Sequence, residues 1–223
     1  MPYQPIEWHY APSVSKTQKD DSVAGHGTCV ASKATGWTNG VSKNSHLVMI
    51  KAGLTIADTH FAFATALDDI LTQNRKRKAV LLFPRNSIDK FSQASPTPKN
   101  WAAIRALMND FFAADIPVIV PAGNGARASA PNEINSVPAL WGISSSAHAA
   151  VSPFPLIIAG AVTNKGLFAP FSQGRLDRYQ LAWAPGNGVR CARRDGVSGD
   201  VWASGTSFSA GMVSGCFSSV HLC

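Results

Sequence analysis

The chain has 223 residues, 45% of them hydrophobic and 15% charged, with a formal net charge of +7. It is too apolar for intrinsic disorder and long enough for one sizeable core, and it lacks any run of 18 or more apolar residues that would cross a membrane. The basic residues are scattered except for Arg75-Lys76-Arg77-Lys78, so the charge does not point to nucleic acid; that run reads as a solvated cap at a helix C-terminus.

Residues 1–24 are polar, contain proline and have no period, which predicts an irregular lead-in rather than a strand. Met1 to Trp8 has neither the basic nor the apolar region of a signal peptide. From His26 a small-residue run to Gly36 predicts a short helix, and Leu47 to Ile50 a buried strand ending at Lys51-Ala52-Gly53. Thr59 to Arg77 places Phe61, Ala64, Leu67, Ile70 and Leu71 at roughly helical spacing, and Ala79 to Phe83 reads as the next strand. A third helix over Trp101–Asp115 leads into a strand at Pro117–Val120, and Leu156–Ala159 and Tyr179–Trp183 are further strand candidates. Strands alternating with helices argue for a mostly parallel sheet covered on both faces. Sites in such sheets collect at strand C-terminal ends, where Asn124 falls; Ser207 opens a helix after a Gly-rich turn.

Two distant motifs supply a base and a nucleophile: Gly25-His26-Gly27-Thr28, and Gly205-Thr206-Ser207-Phe208-Ser209-Ala210. Serine is a weak nucleophile near neutral pH and needs an imidazole to take its proton, wherever in the sequence the imidazole lies. A helix N-terminus at Ser207 would favour developing negative charge. Read singly, Ser207 could be a helix cap, His26 a structural histidine, and Asn124 a residue tolerating a left-handed turn. The four cysteines form no Cys-x-x-Cys pair and are too few for a disulfide framework, and they do not settle the compartment. No cofactor or metal motif is present: no Gly-Lys-Ser/Thr follows Gly123-Asn124-Gly125-Ala126, as a phosphate loop requires.

With Pro117-Val118-Ile119-Val120-Pro121-Ala122-Gly123-Asn124 between them, these motifs resemble the signatures of the subtilisin-like serine proteases (subtilases), in that family's order, over about residues 20 to 215. Ala169-Pro170-Phe171-Ser172 and Ala184-Pro185-Gly186 are similar to segments of fungal-type subtilases. The resemblance implies an α/β three-layer sandwich with a mostly parallel central sheet, lacking its first strand. The implied divisions are a lead-in at 1–24, a partial catalytic domain at 25–215 and a divergent tail at 216–223. It also implies a serine endopeptidase acting on polypeptides without a cofactor, with Ser207 as nucleophile, His26 as general base and Asn124 as oxyanion donor. Ala122 and Gly123 would line the substrate cleft. A monomer is expected, with no nucleic-acid or membrane partner; the family is commonly secreted. An esterase of the α/β-hydrolase type fits poorly, because Gly-Thr-Ser-Phe-Ser is not Gly-x-Ser-x-Gly and the histidine precedes the serine.

The sequence departs from the family in four places. No apolar strand followed by Asp-Ser/Thr-Gly precedes His26; Asp20 and Asp21 are assigned to the loop ahead of it rather than to the orienting role. Phe83-Pro84-Arg85-Asn86-Ser87 replaces the Ser-x-Gly wall of the pocket for the residue before the cut. Gly211 replaces a proline, and the chain stops sixteen residues after Ser207, which predicts a short serine-bearing helix. The alternative to a working enzyme is therefore a non-catalytic pseudoprotease that binds peptides.

Overall fold

The computed structural model describes residues 5–94, 99–126, 132–144, 153–175, 181–197 and 199–220. The strands are β1 (Glu7–Tyr10), β2 (Val48–Lys51), β3 (Leu81–Leu82), β4 (Val118–Pro121), β5 (Ile157–Val162), β6 (Ala182–Pro185), β7 (Val189–Ala192) and β8 (Asp200–Ala203). The helices are α1 (His26–Ala34), α2 (Ile56–Thr72), α3 (Ala102–Ala113) and α4 (Thr206–Val220). A parallel sheet runs β3-β4-β5-β6, β1 pairs in parallel with β2, and β7 and β8 form an antiparallel pair.

β4 is apolar throughout because both of its faces are covered. Alternation sends Val118 and Val120 into a core with Phe63, Ile70, Met108 and Phe111 of α2 and α3. Ile119 turns the other way, packing with Ala159, Ala210 and Val213 under α4. Helices on both faces of a parallel sheet make the three-layer α/β sandwich. A third cluster, Cys29, Val30, Val189, Cys191 and Phe208, joins α1, β7 and the start of α4.

α1 lies against α4 at close range. A Cβ on Gly211 would come within 2.8 Å of the Val30 carbonyl, and one on Gly215 within 2.7 Å of the Ala34 carbonyl. Glycine inside a helix costs roughly 1 kcal/mol against alanine, and here that cost is offset by backbone-to-backbone packing. Proline at 211 would also have to fit beside that carbonyl.

The structure corrects several expectations. The lead-in contains a strand: Glu7–Tyr10 pairs residue by residue with Val48–Lys51, so the first strand is present. The serine helix is not short, since α4 runs for 15 residues through most of the expected tail at 216–223, of which 221–223 lie outside the described residues. α2 ends at Thr72 rather than Arg77, and β3 is only two residues long. Arg75 is not simply a solvated cap, because it bridges Asp69 at 2.6 Å and Glu7 at 3.0 Å. Two of the cysteines do pair, as Cys29–Cys191, across 162 residues.

Candidate active site

Three chain segments meet at the C-terminal end of β4. After Pro121 the chain continues the ladder for one more residue, with the Ala122 amide donating to the Ala159 carbonyl at 2.9 Å, and then turns at Gly123 with φ of 110°. Side chains avoid that φ, and a Cβ there would sit 2.2 Å from Gln173 Oε1, so both conformation and space require glycine. The structure buries Ala122 and Gly123 and leaves Asn124 exposed.

Thr206, the first residue of α4, ties this turn to the serine helix. Its Oγ1 accepts from the Gly123 amide at 3.2 Å and donates to Asn124 Oδ1 at 2.9 Å. Its own amide donates to the same Oδ1 at 2.8 Å. Two donors on Oδ1 fix the amide orientation of Asn124 and leave Nδ2 as the group able to donate outward. Nδ2 lies 3.5 Å from where a Cβ on Gly205 would stand, beside the entrance to α4. Ser207 follows in the first turn of α4, 6% exposed, where backbone N–H groups have no partner inside the helix.

His26 opens α1 after Gly25, whose φ of 72° again favours glycine. Its ring stands 5.5 Å from the Phe208 ring, which places it next to the serine turn. The structure does not hydrogen-bond the His26 ring to Ser207; such bonds commonly tighten only when substrate binds. Burial holds the His26 pKa below its ordinary value, the nearby Asp20 carboxylate works against this, and the Arg85 guanidinium adds to the depression. Neutral imidazole, the form that accepts a proton, is thereby favoured.

Asp20 belongs to the start of α1. Its carboxylate accepts from the Thr28 amide at 2.6 Å and the Ser22 amide at 2.9 Å, serving as a helix cap supplied from outside the helix. Burial pushes its pKa up, and the bonds from Ser22 and Thr28 outweigh that and leave it below the usual value. Asp21 is exposed and pairs with Lys51 at 2.5 Å. Where the resemblance calls for an aspartate after the first strand, β1 is followed by Ala11-Pro12-Ser13, with Ala11 fully buried and its amide donating to the Lys51 carbonyl at 2.8 Å. Among the described residues no carboxylate hydrogen-bonds His26.

The altered wall after β3 is held by its own bonds. Arg85 donates to the Gly53 carbonyl at 2.7 Å and Thr59 Oγ1 at 2.8 Å, and Asn86 Nδ2 donates to the Pro121 carbonyl at 3.0 Å. Sequence reasoning missed Thr206 and Gln173 as organisers. Gln173 is 1% exposed; its Oε1 accepts from the Gly125 amide at 3.2 Å, while its backbone N–H donates to the Gly123 carbonyl at 3.0 Å. The only signal for Thr206 was its place inside Gly-Thr-Ser; Gln173 gave none.

The sequence profile of the subtilase family matches residues 4–221. The chain belongs to the subtilase family. Among curated subtilases it is similar to subtilisin-like protease 2 of Trichophyton rubrum, 32% identical over 195 residues, which make up 86% of this chain and 39% of that protein. The chain therefore spans about two fifths of the length of that relative. Among solved structures it is similar to the prenylagaramide maturation protease PagA, with TM-score 0.64 and 19% identity, covering 94% of this chain and 65% of that one. The psychrophilic protease S41 gives TM-score 0.66 and 18% identity over 95% and 74% of the two chains. At such identities the structural likeness establishes the subtilase fold alone. No helix among the described residues is long and apolar enough to cross a membrane.

Proposed function

We propose that this subtilase domain is a serine endopeptidase in which Ser207 Oγ attacks the scissile carbonyl, His26 takes the proton and returns it to the leaving amine, and Asn124 Nδ2 and the Ser207 amide hold the oxyanion. The observation that carries the reading is the Thr206 linkage, which fixes Asn124 beside the N-terminus of the serine helix. Donors fixed before reaction cost no reorganisation in the transition state, and one such donor is worth about 10² to 10³ in rate. Polypeptides are the substrate class, and the domain acts without a cofactor. A triad lacking its aspartate loses on the order of 10⁴ in kcat, so turnover is slow.

A second reading, a non-catalytic peptide-binding domain, is favoured by one observation: Ala11 follows β1 where the family's aspartate would stand. Turnover and binding of a mixed peptide library by the protein and by its Ser207→Ala variant separate the two. Slow cleavage abolished by Ser207→Ala is the expected result. Peptide affinity without cleavage, unchanged by the substitution, would replace the first reading with the second.

A further inference from the structure

Glu7 and His9 lie two apart on β1 and so share a face, with Trp8 and Tyr10 stacked on the other. That shared face meets Asp69 of α2. His9 Nε2 is 3.3 Å from Glu7 Oε1 and 3.8 Å from Asp69 Oδ1, and the three ligand atoms lie within 4.8 Å of one another. The outer oxygens are already engaged: Arg75 holds Glu7 Oε2 at 3.0 Å and Asp69 Oδ2 at 2.6 Å, and His46 Nε2 is 3.2 Å from Glu7 Oε2. Asp69 is 7% exposed, with Oδ2 held by Arg75 and Oδ1 turned toward the His9 ring at 3.8 Å, beside the Glu7 carboxyl. Two carboxylates face each other with one guanidinium between their outer oxygens, which leaves one negative charge directed at the imidazole.

From this geometry we infer a divalent transition-metal site, of the zinc class, formed by Glu7 Oε1, His9 Nε2 and Asp69 Oδ1. Metal–ligand bonds of about 2.0 to 2.1 Å in a tetrahedron set ligand atoms about 3.3 Å apart; His9 and Glu7 stand at that spacing as a hydrogen-bonded pair whose proton the ion would replace, and Asp69 Oδ1, 3.8 Å from His9, would have to move in. Imidazole with carboxylate oxygen suits zinc, and hydrogen-bonded outer oxygens are the usual support for ligating carboxylates. The fourth position is left to water. The ion would clamp β1, which pairs only with β2 among the described strands, to α2.

The test is calorimetric titration of the chelator-treated protein with Zn²⁺ alone, repeated with Co²⁺ to follow its visible absorption. Saturable one-to-one binding is expected, with a higher melting temperature. Affinity should fall about tenfold or more in His9→Gln and in Asp69→Asn and stay unchanged in His60→Gln. Imidazole NMR of the unmodified protein keeps the test valid if a variant misfolds, because Zn²⁺ must perturb the His9 ring. Absence of saturable binding, a bound ion that leaves His9 unperturbed, or equal affinity in a folded His9→Gln would leave the cluster as an Arg75-centred ion-pair network only and overturn the proposal.

Discussion

Reduction of Cys29–Cys191 perturbs the covalent link between α1, immediately after His26, and β7. The bond closes a loop across 162 residues, and in the chain-entropy view a loop of that length withholds about 5 kcal/mol from the unfolded ensemble. The two side chains are 2% and 0% exposed among Val30, Val189 and Phe208, so the reduced thiols stay packed as small apolar groups. The loss therefore falls mainly on the unfolded state. Five kcal/mol is comparable with the whole stability of many domains, and with a urea slope of about 2.5 kcal/mol per molar it lowers the midpoint by about 2 M. The assay is equilibrium unfolding of a protein carrying Cys216→Ser and Cys223→Ser, which removes the thiol left free among the described residues and the cysteine outside them, with and without a phosphine reductant. Mass spectrometry verifies the thiol state. Coincident midpoints for the oxidised and fully reduced proteins would refute the reasoning.

Asp20→Ala removes the acceptor at the start of α1 and should cost about 1 kcal/mol, read as a lower melting temperature; an unchanged transition would show that Asp20 does not cap the helix. Because the folded pKa of His26 is lowered, the unfolded chain binds more protons just below the ordinary value of 6.5, so this residue's contribution to stability is lost as pH falls through that window. Arg85→Met removes one cause of the depression and should move the His26 titration upward by NMR, whereas no movement would contradict the electrostatic contact. Gly211→Ala drives a methyl into the Val30 carbonyl and should destabilise by about 1 to 3 kcal/mol, checked by urea unfolding.

Periodicity made the buried parts of the fold legible. β4 and its flanking helices announce themselves because they are apolar on every face that packs. β1 was hidden because its inward face carries Glu7 and His9, whose burial depends on Asp69 and Arg75 far along the chain. The β7–β8 pair was hidden because its strands alternate with exposed Arg190 and Trp202 and span only four residues each. The disulfide left no trace in cysteine spacing. At the candidate site, the motifs singled out His26, Asn124 and Ser207 as candidates, while Thr206 and Gln173 are organisers of the turn only because distant segments meet.

Labelling with a fluorophosphonate probe, mapped by mass spectrometry, tests most directly whether His26 and Ser207 work together. Slow modification at Ser207, weaker still in His26→Ala, is the expected result. A folded protein left unlabelled at Ser207, or labelled equally fast without the imidazole, would contradict it.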